Sequence, residues 1–241
     1  LNKKVGIIGY SDFSRLIARE LSPYCEVMIA SRRNIDEETE FKIVTSEEAL
    51  SCEVIIPAIP SQFLEEYFTK NAVLVNYQAL IVDVCSVKVR PLETLERVLP
   101  KSCSILATHP MFGPFSAKNG ISGLQIMVHP ARIGKQYYKD ITVFLSEKLG
   151  LEVIECSPEE HDKELAYVLG LTQLIGKVSQ DMDIPETKLR TRAYEDLLDM
   201  KRVQGSDSWD LFESITQENP YAEEVIKNFT ESINNIKNRI Y

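Results

Sequence analysis

Short apolar runs alternate with helical patterns over the first two thirds of the chain, the arrangement a parallel α/β sheet requires. Val5 to Gly9 (VGIIG) reads as a strand, and apolar residues at Phe13, Leu16, Ile17 and Leu21 then recur with a helical period, so a helix follows after one tight turn. Further buried-type strands are predicted at Glu26 to Ser31, Lys42 to Thr45, Glu53 to Ile59, Leu80 to Cys85 and Ile105 to Thr108, with Gln125 to His129 and Glu152 to Cys156 extending the sheet. The pattern changes at residue 157. Ser157-Pro158-Glu159-Glu160 has the cap, first-turn proline and glutamate of a helix start, and the remainder reads as helical. Near the end, Ala222, Val225, Ile226, Phe229, Ile233, Ile236 and Ile240 form one apolar stripe that needs a partner. The expected organisation is a doubly wound (Rossmann-type) α/β domain over 1–156 and an all-helical domain over 157–241, the latter packed against a second copy in a homodimer.

With 241 residues, 44% hydrophobic and 26% charged, the composition is that of an ordinary globular protein. Lys and Arg number 27 against 36 Asp and Glu, a net charge of −9, so no global positive field favours nucleic acid. No apolar run approaches the roughly 20 residues that cross a bilayer, and the start lacks a signal-peptide pattern, which leads us to expect a cytoplasmic protein without a membrane partner. A Leu at position 1 leaves room for a segment upstream. Five widely spaced cysteines (Cys25, Cys52, Cys85, Cys103, Cys156) fit reduced thiols better than a disulfide frame or a zinc site.

A glycine turn between a first strand and its helix lets the backbone approach a pyrophosphate, whose charge the helix N-terminus stabilises. Here the turn reads Gly9-Tyr10-Ser11-Asp12-Phe13-Ser14, with serines at the second and third glycine positions. By motif alone it is either a dinucleotide turn or an ordinary strand-to-helix connection. The second strand ends in Ser31-Arg32-Arg33, where an NAD-specific chain usually carries an acid; guanidinium groups there suit an adenosine 2′-phosphate and favour NADP over NAD, unless they are simply a solvated loop. The cofactor-binding candidates are Gly6, Gly9, Ser11, Asp12, Phe13, Ser14, Ser31, Arg32, Arg33 and Pro60.

Two segments stand at predicted carboxyl ends of strands, where such a sheet presents its active edge: Asp83-Val84-Cys85-Ser86-Val87-Lys88 and Thr108-His109-Pro110-Met111-Phe112-Gly113-Pro114. An imidazole at His109 can accept a proton near neutral pH, or it anchors the loop.

GIIGYSDFSRLIA, DVCSVK, THPMFGP, SPEEHDK, TRAYEDLL and DSWDLFESI, in that order across nearly the whole chain, resemble the prephenate/arogenate dehydrogenases of tyrosine biosynthesis, and look most similar to the NADP-using arogenate enzymes of plants. The resemblance implies oxidative decarboxylation of a cyclohexadienol, with hydride transfer to nicotinamide. It implies that His109 draws the proton of the ring hydroxyl, that Ser86 orients hydroxyl and nicotinamide, and that Arg192 in the Thr191-Arg192 pair clamps a carboxylate. Gln173 stands where relatives carry His and can hydrogen-bond substrate. His161 and Asp162 match a family pair; Asp162 either attracts a substrate ammonium or solvates the first helical turn. Lys88 either adds positive potential for substrate or is a surface helix residue. His129 matches no family position. The alternatives are a non-catalytic dimeric relative whose altered turn no longer accepts the dinucleotide, and an oxidoreductase of the same architecture with another substrate.

Overall fold

The computed structural model of the chain describes residues 3–35, 39–205 and 207–241. The chain divides into two compact units, Leu1–Ser157 and Pro158–Tyr241. The first carries strands β1 (Lys4–Ile8), β2 (Glu26–Ala30), β3 (Lys42–Val44), β4 (Val54–Pro57), β5 (Leu80–Asp83), β6 (Ser104–Pro110), β7 (Gln125–Arg132) and β8 (Glu152–Glu155). They form one sheet of eight strands in the order β3-β2-β1-β4-β5-β6-β7-β8. Each apolar run read as a strand is one, because central strands buried on both faces must be apolar throughout. The strand order reverses between β1 and β4, the point at which open α/β sheets hold ligands beyond their carboxyl ends.

One pairing differs from a purely parallel sheet. β7 runs antiparallel to β6, with Thr108 opposite Val128 and His109 opposite Met127, and β8 then pairs parallel with β7. The segment between β6 and β7 contains no helix, so the chain turns back beside β6 instead of crossing over. Helices α1 (Asp12–Leu21), α2 (Ser46–Leu50), α3 (Leu64–Asn71), α4 (Val89–Val98) and α5 (Lys135–Val143) flank this sheet. Ala49 and Leu50 of α2, Leu64 and Phe68 of α3 and Leu92 and Leu95 of α4 pack with Ile55, Ile81 and Ile105 on one face. The opposite face meets α1 and α5.

The second unit contains α6 (Pro158–Leu165), a wide π-type segment (Ala166–Leu171), α7 (Thr172–Asp181), α8 (Arg192–Val203), α9 (Trp209–Gln217) and α10 (Ala222–Ile240). Its first helix begins at the proline that the sequence pattern marks. The core is small, with Ala166, Ala222 and Val225 buried together, whereas Ile233, Ile236 and Ile240 of the α10 stripe are exposed. Among the described residues no helix is long and apolar enough to cross a membrane.

Candidate active site

The turn after β1 shows why only its first glycine is indispensable. Gly9 has φ +104°, and a Cβ there would lie 2.6 Å from the Ala58 carbonyl oxygen, so the position demands glycine twice over. Ser11 has φ −148°, extended backbone open to any residue, and it caps α1: its Oγ accepts the Ser14 amide hydrogen at 3.1 Å. The Ser14 side chain is buried with its hydroxyl 2.9 Å from that of Ser11. The two serines therefore satisfy each other without distorting the turn. Asp12 forms an ion pair with Arg15, whose guanidinium lies 5.6 Å from the Tyr10 ring centroid, so its negative charge is countered locally. A tight glycine turn, a helix start whose first amides have no intrahelical acceptor, and a neutralised acid fit a dinucleotide diphosphate.

Other cofactor candidates separate. Phe13 is half-buried in the first turn of α1, and Pro60 is exposed just after β4. Arg32 and Arg33 are exposed beyond β2. The Ser31 hydroxyl donates to the Arg33 carbonyl and accepts from the Arg33 amide, each at 3.0 Å, so it shapes that loop. Gly6 needs correction as a cofactor residue: it lies inside β1, where a Cβ would come 2.1 Å from the Ala49 carbonyl oxygen, and its part is close packing against α2.

β5 and β6 are parallel neighbours, with Asp83 in register with Ala107. Ser86 and His109 therefore lie just past the same point on adjacent strands, at the edge that also carries the Gly9 turn. His109 is 5% exposed and Ser86 half-buried. Near them is a buried ion pair whose lysine, Lys88, the sequence reading placed at a substrate or on the surface. Lys88 and Asp83 are fully buried and form an ion pair, and Lys88 Nζ also donates to the Thr108 carbonyl at 2.5 Å. The Asp83 carboxylate accepts the Cys85 amide hydrogen at 2.9 Å, and the Thr108 hydroxyl donates to the Asp83 carbonyl at 2.6 Å. Lys88 is thus neither a surface residue nor available to a substrate. It ties the segment bearing Ser86 to the residue before His109.

In the helical unit the candidates fall into different places. Asp162 is fully buried with its carboxylate 2.7 Å from His161 Nδ1, so the expectation that it meets a substrate ammonium is corrected. Arg192 is the first residue of α8, its side chain 82% exposed and paired with Asp196. Gln173 lies beyond the other end of that helix, beside Asp207, and α8 alone rises about 16 Å from Arg192 to Val203. Arg192 and Gln173 of one chain therefore do not converge.

Around Gln173 the structure builds a cluster that sequence reasoning missed. Gln173 Nε2 donates to Asp207 Oδ2 at 2.8 Å, and the Lys177 ammonium donates to the carbonyls of Gly205, at 2.9 Å, and Asp207. Lys177 also lies 5.3 Å from the ring centroid of Trp209. Burial pushes the Asp207 carboxyl above the ordinary carboxylate range, against the opposing pull of Lys177 and the Gln173 hydrogen bond. Gln173 is 1% exposed, and its Oε1 has no hydrogen-bond partner. An ionised carboxylate only accepts, so the amide must turn its NH₂ to Asp207 and leave its oxygen unused. Gln173 Oε1 is thus an acceptor that no donor of the cluster reaches, and a donor is what a ligand would bring it.

Comparison with known proteins fits this geometry. A family model described as the prephenate dehydrogenase nucleotide-binding domain matches residues 28–125, and a TYRAAT1-like C-terminal domain model matches residues 178–241. Arogenate dehydrogenase 1, chloroplastic, of Arabidopsis thaliana is 27% identical over 99% of the chain and 39% of its own length. Over residues 28–125 the chain matches the nucleotide-binding domain of prephenate dehydrogenases, and over nearly its whole length it is similar to arogenate dehydrogenases. A probable arogenate/prephenate dehydrogenase of Methanocaldococcus jannaschii is likewise 27% identical, over 95% of the chain and 54% of its own length. The chain therefore spans well under two thirds of the length of those two relatives. Among solved structures, prephenate dehydrogenase from Aquifex aeolicus, in complex with hydroxyphenyl propionate and NAD+, superposes with a TM-score of 0.74 at 19% identity, covering 100% of this chain and 91% of that one. Synechocystis arogenate dehydrogenase gives 0.69 at 16% identity, covering 99% and 93%, and at such identities the likeness establishes the fold alone.

Proposed function

We propose that the chain is an NADP-dependent arogenate dehydrogenase, acting as a homodimer. The observation that carries the reading is the delivery of Ser86 and His109 to the carboxyl ends of neighbouring parallel strands, on the same edge as the Gly9 turn. When bound, the nicotinamide supplies the acceptor for the hydride that leaves ring C4. His109 takes the proton of the 4-hydroxyl as that hydride departs, and Ser86 holds the hydroxyl oriented by hydrogen bonding. The ring carboxylate leaves as CO₂, its bonding pair completes the aromatic ring, and His109 returns the proton to the phenolate oxygen. Loss of one hydride and CO₂ balances the conversion of arogenate to tyrosine.

Exposed Arg32 and Arg33 support NADP, since guanidinium groups pair with a 2′-phosphate. The satisfied Ser11 and Ser14 hydroxyls weigh against a turn that has lost its dinucleotide. Arogenate is favoured over prephenate by the acceptors Gln173 Oε1 and Asp207: an ammonium offers donors, whereas a keto group offers none. The exposed stripe of Ile233, Ile236 and Ile240 supports a second copy. The test is initial rates for arogenate and prephenate, each with NADP and with NAD, followed by absorbance of the reduced nicotinamide. Fastest turnover is expected for arogenate with NADP. Tight NADP binding without turnover of either substrate would overturn the reading.

A further inference from the structure

The topology leaves one face of the sheet too thinly covered. Eight strands span roughly 34 Å at about 4.8 Å per neighbour, while two helices of about 10 Å cover little more than half of that. α2, α3 and α4 all pack on one face, whereas α1 and α5 serve the other from over its two flanks. Between α1 and α5 lies a partly enclosed cavity of about 390 Å³, floored by strand residues including Val54, Ile56, Val82 and Leu106 and walled by Ile17 of α1 and Ile141 of α5. Such a volume is in the range of small-molecule sites, which are mostly apolar with a few polar groups. It is not the dinucleotide turn, whose residues Gly9, Ser11 and Ser14 do not line it.

Charge at its lining selects the guest. Lys3 is the one cation there, and it is already engaged, donating to the Tyr137 hydroxyl at 2.8 Å. Two carboxylates share the lining, half-buried Glu20 and exposed Asp140, which accepts from Gln136 Nε2 at 2.8 Å; among the described residues neither forms an ion pair within 4.0 Å. We infer that this cavity is a binding site for a small primary amine with an apolar, single-ring body, the ring lying on the valine and isoleucine floor and the ammonium between Glu20 and Asp140. Val84, Thr108 and Pro110 also line the cavity, so a bound amine rests against the back of the strand ends that present Ser86 and His109. The site does not depend on the proposed dehydrogenase activity.

Cys25 is a built-in reporter, half-buried at the cavity wall, where burial pushes its thiol pKa up. The full chain is alkylated with N-ethylmaleimide at pH about 8.5, with and without phenethylamine, and labelling is read by peptide mass spectrometry. Protection slows labelling by one plus the ratio of ligand to Kd, so about elevenfold at ten times Kd. The expected result is slowed labelling of Cys25 but not of Cys156, with 3-phenylpropionate at least tenfold weaker, and loss of protection in an Ile141→Trp variant that keeps its circular dichroism. Equal or better protection by the carboxylate overturns the inference, as does no protection at millimolar amine. Labelling that slows with protein concentration alone also overturns it and assigns the face to a second copy. The wild-type arms decide the matter even if the tryptophan variant fails to fold.

Discussion

Replacing Lys88 by Met keeps the side-chain length and removes the ammonium, leaving the Asp83 carboxylate fully buried with the Cys85 amide and no counter-charge. Removing one partner of a buried ion pair costs about 3–5 kcal/mol, because the remaining charge cannot reach water. The Thr108 carbonyl loses its donor as well, a loss of about 1 kcal/mol that is counted within that range. Against a usual total of about 5–15 kcal/mol the variant should stay folded but unfold much earlier in urea. Lys88→Met with Asp83→Asn removes the charge while keeping an acceptor for the Cys85 amide, and should recover more than half of the loss. Far-UV circular dichroism follows both units, while the chain's only tryptophan, Trp209, reports the helical unit alone, so a transition seen first by dichroism belongs to the nucleotide unit. A single-variant cost below about 1 kcal/mol, or a double variant no more stable than the single, would refute the assignment of Lys88 as a strut.

Further outcomes follow from the same geometry. His109→Ala should lower kcat by roughly 10²-fold or more with cofactor affinity unchanged, measured by steady-state rates and by cofactor-induced thermal shift. Asp207→Asn should raise KM for arogenate selectively, narrowing its advantage over prephenate. Because burial raises the Asp207 pKa, the native state holds its proton to higher pH than the unfolded chain, so this group favours folding at low pH and the benefit fades as pH rises through the folded value. The melting temperature of Asp207→Asn relative to the parent should therefore be more favourable at pH 7 than at pH 4. Arg15→Gln should weaken NADP binding, and if Arg15 acts only by cancelling Asp12 the effect should vanish in an Asp12→Asn background; calorimetric titration of all four proteins closes the cycle.

The sheet was legible because its central strands are apolar on both faces, and the switch to helices was legible in the Ser157-Pro158 start. The direction of β7 was not, since IMV reads alike in either sense and only the helix-free return before it distinguishes a turn-back from a crossover. Ser86 and His109 stood out because each directly follows a buried strand. Lys88 was misread because a lysine before a helix normally meets solvent, and only three-dimensional structure brings the Thr108 carbonyl to it. The Asp207 cluster joins residues 34 positions apart, beyond the reach of any local pattern.

α7 meets the chain just past α8 where neither side has room for a methyl group: a Cβ on Gly176 would lie 2.7 Å from that of Gln204, and one on Gly205 would lie 2.3 Å from the Lys201 carbonyl oxygen. These two positions carry no side chain, yet the Gly205 carbonyl accepts from the same Lys177 that bonds the Asp207 carbonyl. A saturation screen of the helical unit should find its least replaceable sites at this bare backbone crossing, where a hydrogen atom fits and nothing larger does.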